Sequence, residues 1–285
     1  MYPVLIDIEP LGLVFHTYVV MLSAGFLLAV MLIFRHNERR EQPLPMTPMG
    51  ALFVFVCILL GSRLYHILEY EGWRNLLDIW RVWQGGLVSY GGIIGAFAGG
   101  SLYLWWNRVP FGAAADIVLL YAPLGHAVGR LGCFFNGCCY GRPTDWPWGI
   151  VYPEGTPARG WLFAEHIQGG LITTEAAHHL PVHPTQLYDS AGLFLIFLLL
   201  LFWYPRRRFD GAFLVVYPGL YGIMRFTVEW FRGDTPLTQW ETLTRSQLIS
   251  LVLAVTALIL YPLVAYLLTK KRNEGDGKRV DSPED

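Results

Sequence analysis

The run Gly112-Ala-Ala-Ala-Asp-Ile-Val-Leu-Leu-Tyr-Ala-Pro-Leu-Gly-His126-Ala-Val-Gly-Arg130-Leu-Gly-Cys133-Phe134 decides the fold. Roughly 20 apolar residues suffice to cross a hydrocarbon core of about 30 Å. This run is long enough, yet it carries Arg130 near one end. A charge at the centre of a membrane helix costs roughly 2.5–3.5 kcal/mol on insertion scales. Two more arginines, Arg63 and Arg225, stand in comparable runs. Three such charges imply an internal polar cavity and an anion for it to hold. The structural alternative is pairing with acids, and Glu229 lies one helical turn from Arg225. Acids are scarce in these runs, and one glutamate does not neutralise three arginines. The anion site is therefore the preferred reading.

Composition agrees with a membrane protein. Hydrophobic residues make up 54% of the 285 and charged residues only 15%, against about 25% charged in soluble proteins. Seven spans are expected, at about 13–34, 49–69, 87–106, 112–134, 185–204, 211–231 and 246–268. The fold class is therefore an all-α polytopic membrane protein of about seven transmembrane helices. One membrane domain covers 1–270, and 271–285 form a charged, disordered tail. The stretch at about 140–183 mixes Pro, Trp, Gly, His and Thr without sustained periodicity, and reads as a small extramembrane cap. The third span is rich in glycine (Gly85, Gly86, Gly91, Gly92, Gly95, Gly99, Gly100), which predicts close helix packing. Asp7 and Glu9 make the N-terminus acidic, and the first apolar run is too long for a signal peptide, so no cleaved leader is expected.

Charge placement sets the expected orientation. Twelve of the 21 Lys and Arg residues fall on one side of the spans and six on the other, the remaining three being the intramembrane arginines. The richer side should be cytoplasmic, which places the cap and N-terminus in the periplasm and the basic C-terminal tail in the cytoplasm. All three lysines lie in that tail, which excludes a retinal protein with its intramembrane Schiff base. The net charge of -1 gives no indication of nucleic acid.

Chemistry concentrates where the fourth span leaves the membrane, in His126-Ala-Val-Gly-Arg130-Leu-Gly-Cys133-Phe-Phe-Asn136-Gly-Cys138-Cys139-Tyr140-Gly141-Arg142. On a helix His126 and Arg130 share one face. The glycines that follow let the backbone unwind and turn amides toward an anion, which at membrane depth is tolerated only where it lines a cavity or is buried in protein.

This segment resembles the signature of the prolipoprotein diacylglyceryl transferases, Gly-Arg-x-Gly-Asn-Phe-x-Asn-x-Glu-x-x-Gly. Gly129, Arg130, Gly132, Phe134, Asn136 and Gly141 match it, whereas Cys133 replaces its first asparagine and Cys138 its glutamate. Three further blocks are similar in order. Arg81 to Gly95 resembles a Gly-Gly-x-x-x-His-Gly-Gly-x-x-Gly block with Tyr90 in the place of the histidine. His183-Pro-Thr-Gln186-Leu-Tyr188 resembles a His-Pro-Ser/Thr-Gln-Leu-Tyr block, and Tyr221 to Arg232 an Arg-x-x-x-Glu-x-x-Arg segment. Tyr18 takes the position of a first-helix tyrosine.

The resemblance implies an enzyme of lipoprotein biosynthesis in the bacterial cytoplasmic (inner) membrane. It would transfer the sn-1,2-diacylglyceryl group of phosphatidylglycerol to the lipobox cysteine thiol of a prolipoprotein, forming a thioether and releasing glycerol-1-phosphate. Its partners would be phosphatidylglycerol, the lipobox peptide and membrane lipids, with no cofactor, no metal and no nucleic acid. Arginine forks suit a phosphodiester and a leaving phosphate, so Arg130 and Arg225 are assigned to that work, with Glu229 orienting Arg225. Tyr90 is expected to donate a hydrogen bond, and Asn136 to bond the head group. Tyr18, Gly141, Arg63, Tyr221, Arg232, His183 and Gln186 complete the expected substrate site. The attacking sulfur must be a thiolate, which the field of the cationic site would favour. As a base, Tyr90 would need strong activation by nearby arginines, and His126 is the substitute, though it also reads as a packed helix histidine.

Two other readings stay beside this one. The Cys133, Cys138 and Tyr90 replacements motivate a non-catalytic relative that binds or transports anionic lipid, or a transferase with a different acceptor thiol. Paired inverted repeats, usual in transporters, are not evident. Cys133, Cys138 and Cys139 lack the spacing of a zinc site, so packing or an occasional disulfide is preferred to catalysis. Cys57 reads as a small apolar residue. His178 and His179 are expected in solvent. Arg63 could contact the head group or pair with Glu69.

Overall fold

The computed structural model describes residues 4–8, 13–81, 88–154, 156–173, 178–233 and 243–280. Gly85 and Gly86, and the last residues of the tail, 281–285, lie outside the described residues. Long helices occupy all seven expected spans: α1 (Thr17–Glu38), α2 (Pro48–His66), α3 (Ser89–Trp106), α4 (Phe111–Asn136), α6 (Thr185–Trp203), α7 (Phe213–Glu229) and α8 (Arg245–Val280). A shorter α5 (Pro157–Gln168) belongs to the cap. Among the described residues, five segments are by themselves long and apolar enough to cross a membrane: Thr17–Glu38, Pro48–Tyr70, Phe111–Asn136, Thr185–Arg206 and Arg245–Leu268. The glycine-rich α3 and the 17-residue α7 fall short of that measure alone.

Three boundaries differ from the expected spans. The first span was expected from residue 13, but Leu13–His16 (β2) pairs antiparallel with Val4–Ile8 (β1), Val4 opposite His16 and Ile8 opposite Leu13, so α1 starts at Thr17. α2 ends in a π-helical turn, Ile67–Glu71, followed by Gly72 at φ +83° and a 3₁₀ segment, Trp73–Trp80. α8 stays helical through the charged stretch to Val280, where a disordered tail was expected from 271. Lys, Arg and Glu are good helix formers, and no residue between Leu268 and Glu274 breaks the run.

The chain forms two compact units, one of residues 33–117 and one of residues 1–32 with 118–285. In the first, Thr47 caps α2 by accepting the Gly50 N–H at 3.1 Å, with Pro48 opening the helix. α2 and α3 then pack backbone to backbone. A Cβ on Gly91 would strike the Gly61 carbonyl, and one on Gly95 the Cys57 carbonyl. The glycine stripe is thus a packing device, as expected, and Cys57 fills the space beside Gly99.

In the second unit, α1 meets α4 where a Cβ on Gly25 would strike the Gly125 carbonyl. Ser190 of α6 bonds the Ala127 carbonyl of α4 at 3.0 Å, and Gly222 of α7 admits the Ser250 carbonyl of α8. The outer surface is apolar, as on α8, where Val252, Leu258 and Ile259 are exposed. That inverts the order of a soluble protein and suits hydrocarbon as the solvent.

The cap has a core of its own, built from Tyr140, Tyr152, Leu162 and Val182. His179 is fully buried in it, not solvated as expected. Its Nε2 accepts the Tyr152 N–H at 3.0 Å and its Nδ1 donates to the Leu180 carbonyl at 2.6 Å. Two obligatory backbone groups need partners inside the cap, and a neutral imidazole supplies one donor and one acceptor. His178 alone of the pair is exposed.

Candidate active site

Three helix ends converge in the second unit. The C-terminal parts of α4 and α7 bring Arg130 and Arg225, and the first two turns of α6 bring Gln186 and Asp189. Asp189 is 2% exposed, with Oδ2 at 3.3 Å from Arg130 Nη1 and 3.9 Å from Arg225 Nη1. Arg225 Nη2 reaches Glu229 Oε2 at 2.6 Å, and Arg232 Nε lies 3.9 Å from the same oxygen. Thr244, just before α8, donates to Glu229 Oε1 at 2.9 Å. One network among the described residues thus holds three guanidinium groups and two buried carboxylates and is net positive. Among the described residues, Arg225 Nη1 is buried and makes no hydrogen bond, which leaves a donor for an incoming oxygen.

This corrects the expectation that acids are too scarce to pair the arginines. Sequence reasoning missed Asp189, which sits between Arg130 and Arg225. The signal was present: a lone carboxylate in an otherwise apolar span, next to Tyr188 and one turn after Gln186. Burying several like charges together without carboxylates is prohibitive. Among the described residues the site is paired and still net cationic, so the two readings of the arginines are not exclusive.

The exit of α4 is shaped by local rules. Gly137 adopts φ +79° after Asn136 and returns its N–H to the Cys133 carbonyl at 2.9 Å, a left-handed helix stop. Cys139 follows at φ +62°, which residues with a Cβ disfavour. Gln186 donates to the Cys138 carbonyl and Thr185 to the Cys139 carbonyl, both at 2.7 Å. Gly141 donates to the His183 carbonyl at 2.9 Å, and a Cβ there would press on the His183 carbonyl and the Phe231 carbonyl. Arg142 Nε bonds the Arg232 carbonyl at 2.7 Å. The loop is thereby sewn to the start of α6 and the end of α7.

The other expected residues fall as follows. Tyr18 opens α1 with its backbone against Gly132 and lies within electrostatic reach of Arg130. Asn136 ends α4, two residues before Cys138. Tyr221 stacks on His126 at 6.2 Å, one turn before Arg225, so His126 is a packed histidine here. Gln186 also donates to Tyr152 Oη at 2.9 Å and is fully buried. His183 is buried among Trp146, Phe231 and Tyr188, with Nδ1 3.1 Å from Tyr188 Oη, and burial pulls its pKa below the ordinary imidazole range. His183, Gln186 and Gly141 thus hold the loop that carries the thiols.

Arg63 and Tyr90 belong to the first unit. Arg63 is 4% exposed, with Nη1 3.3 Å from His66 Nδ1 and Nε 3.4 Å from the Asp78 carbonyl, while Glu69 is exposed. Tyr90 is exposed, its ring 6.3 Å from that of Tyr65. Cys133, Cys138 and Cys139 carry free thiols, and Cys138 Sγ donates to the Cys133 carbonyl at 3.8 Å.

Residues 3–263 match the family described as prolipoprotein diacylglyceryl transferase. Among similar proteins, the phosphatidylglycerol–prolipoprotein diacylglyceryl transferase of Geobacter sulfurreducens is 34% identical over 225 residues, 76% of this chain and 78% of that one. The one from Symbiobacterium thermophilum is 30% identical over 282 residues, 98% of this chain and 97% of that one. The one from Bordetella parapertussis is 31% identical over 241 residues, covering 81% and 82%.

Proposed function

The chain belongs to the prolipoprotein diacylglyceryl transferase family, and from that premise we infer how its residues carry the reaction. The enzyme moves the sn-1,2-diacylglyceryl group of phosphatidylglycerol onto a lipobox cysteine thiol, forms a thioether and releases glycerol-1-phosphate. The observation that carries the assignment of roles is the net-cationic network of Arg130, Arg225 and Arg232 around buried Asp189 and Glu229.

Phosphatidylglycerol brings one negative phosphodiester, and its phosphate departs with the breaking C–O bond. Arg225 Nη1 and the outer edge of Arg130 receive the phosphate oxygens. Asp189 keeps the two forks at a fixed spacing, and Glu229 with Thr244 fixes Arg225 from behind. Charge that grows on the leaving phosphate then meets donors already in place, with no reorganisation at the moment of reaction. The lipobox peptide enters from the cap side, and the lipid enters laterally from the bilayer. The protein resides in the bacterial cytoplasmic membrane with its N-terminus and cap in the periplasm.

The test is complementation of a bacterium depleted of its own transferase, scored by the mass of one reporter lipoprotein. A gain of one diacylglyceryl group, lost in Arg130→Ala and Arg225→Ala, is the expected result. An unmodified reporter beside well-expressed protein overturns the transferase reading and favours an anionic-lipid binder.

A further inference from the structure

We propose that Asp189 and Gln186 read the two hydroxyls of the phosphatidylglycerol head group and so select the donor lipid, an inference that rests on the transferase reading above and concerns the part of the lipid beyond its phosphate.

Two buried acceptors on α6 lack a donor. Among the described residues, Asp189 Oδ1 and Gln186 Oε1 make no hydrogen bond, although Asp189 is 2% exposed and Gln186 is fully buried. A buried acceptor left unmatched forfeits its hydration, so each calls for a proton that the described residues do not supply. The other polar atoms of both side chains are engaged. Asp189 Oδ2 pairs with Arg130 and Arg225. Gln186 Nε2 gives its protons to the Cys138 carbonyl and to Tyr152 Oη. Those bonds also fix the orientation of the amide, since turning it over would set its oxygen against the Cys138 carbonyl.

Asp189 follows Gln186 by three residues, so the two share one helix face with Cβ atoms about 5–6 Å apart. It is the buried face that continues through Leu193, Ile196 and Leu200. Gln186 is the nearer to the helix start, where the loop of Cys138 and Cys139 is held, and Asp189 is the nearer to the arginines. From the arginines outward there follow a donor, Arg225 Nη1, a charged acceptor, Asp189 Oδ1, and a neutral acceptor, Gln186 Oε1.

The head group of phosphatidylglycerol carries the complementary order: phosphate oxygens that accept, a secondary hydroxyl that donates and a terminal hydroxyl that donates. With the phosphate on Arg225 and Arg130, the secondary hydroxyl falls to Asp189 and the terminal one to Gln186. The bond to the carboxylate is the stronger of the two. The acceptor peptide does not fill this place, because its sulfur reacts as a thiolate, which has no proton to give and is repelled by a carboxylate. An ammonium head group has protons to give, but it adds a positive charge to a network that is already net positive among the described residues. Neither residue makes or breaks a bond; both determine which lipid is held.

The experiment gives the purified full-length enzyme a synthetic lipobox peptide and two competing donors, phosphatidylglycerol and an analogue with deuterated acyl chains. The peptide product keeps the acyl chains of its donor. At equal lipid, the ratio of product masses is therefore the ratio of kcat/KM, whatever fraction of the enzyme is folded. Phosphatidyl-1,3-propanediol lacks the secondary hydroxyl and phosphatidyl-1,2-propanediol the terminal one. Wild type should prefer phosphatidylglycerol to the first by about 10–100-fold and to the second by about 10-fold. Asp189→Asn keeps an acceptor oxygen without its charge, so the first preference should shrink by about tenfold while the second stays. Gln186→Met removes the neutral acceptor and should erase the second preference alone.

A wild type that uses either analogue within about twofold of phosphatidylglycerol overturns the reading of that hydroxyl. A preference that survives its own substitution overturns the assignment to that residue. A wild type inactive on phosphatidylglycerol itself overturns the transferase reading instead. For a variant too slow to assay, melting-temperature shifts with short-chain forms of the same lipids give the same comparison. Phosphatidylglycerol should stabilise wild type more than the analogue does and lose that lead in the variant, and an unchanged lead overturns the proposal.

Discussion

At the scale of single residues, the carboxylate between the arginines is the position whose substitution tests the proposed site. Asp189 pairs with Arg130 at 3.3 Å and Arg225 at 3.9 Å. Asp189→Asn keeps the shape but removes a negative charge and the restraint on both forks. The expected outcome is a kcat lower by roughly 10–100-fold with KM for phosphatidylglycerol equal or lower, read from steady-state kinetics. An Asp189→Asn enzyme with unchanged kcat shows that the carboxylate does not position the forks. Glu229 is bound more tightly, so Glu229→Ala leaves Arg225 partly uncompensated and should cost about 3–5 kcal/mol of stability, visible as a lower melting temperature in detergent. The arginines, Glu229 and the cysteine cluster are legible in the sequence because charge in an apolar run is costly. Asp189 is legible by the same rule. The pairing of Asp189 with Arg130, 59 residues away, is not, because it depends on which helix ends meet.

At the scale of elements, the loop after α4 and the cap are the parts that sequence pattern describes least well. Gly141 lies against the carbonyls of His183 and Phe231, so Gly141→Ala must push backbone apart. A loss of about 1–3 kcal/mol is expected from such overpacking, with activity falling in parallel as the loop shifts, and a stable, active Gly141→Ala argues against that tight fit. The cap also carries a pH dependence. Burial lowers the pKa of His179 and of His166, whose Nδ1 accepts the Leu180 N–H at 3.2 Å. Below an unfolded-state value near 6.5, the unfolded chain binds protons that the folded cap does not, so stability falls as pH drops below about 6.5. Limited proteolysis of the cap should therefore quicken between pH 7.5 and 5, and His179→Gln should flatten that response. Equal cleavage rates at both pH values would rule this out. The expectation that His179 faces solvent failed because a short, aperiodic segment gives no face to read. Its burial follows from two backbone groups, Tyr152 N–H and the Leu180 carbonyl, that need a partner.

At the scale of the whole molecule, charge asymmetry predicts a cytoplasmic C-terminus. A C-terminal fluorescent-protein fusion should fluoresce and an alkaline-phosphatase fusion at the same point should be inactive, and the reverse pattern inverts the topology. The existence and approximate place of the seven helices were legible, because hydrocarbon demands long apolar runs with every backbone group bonded within the segment. The exceptions are instructive: residues 13–16 are apolar enough for a helix but pair as a strand with Val4–Ile8, a choice made by a neighbouring segment. The sequence by itself determined a membrane-embedded helical protein, the positions of Arg130 and Arg225, and the family blocks that surround them. Only the tertiary structure decided that Asp189 lies between those arginines, that Gln186 and Thr185 lock the strained loop after α4, and that three thiols gather beside the cationic network. Burial cost is written into each segment of the chain, whereas the pairing that offsets it is created only when distant segments meet.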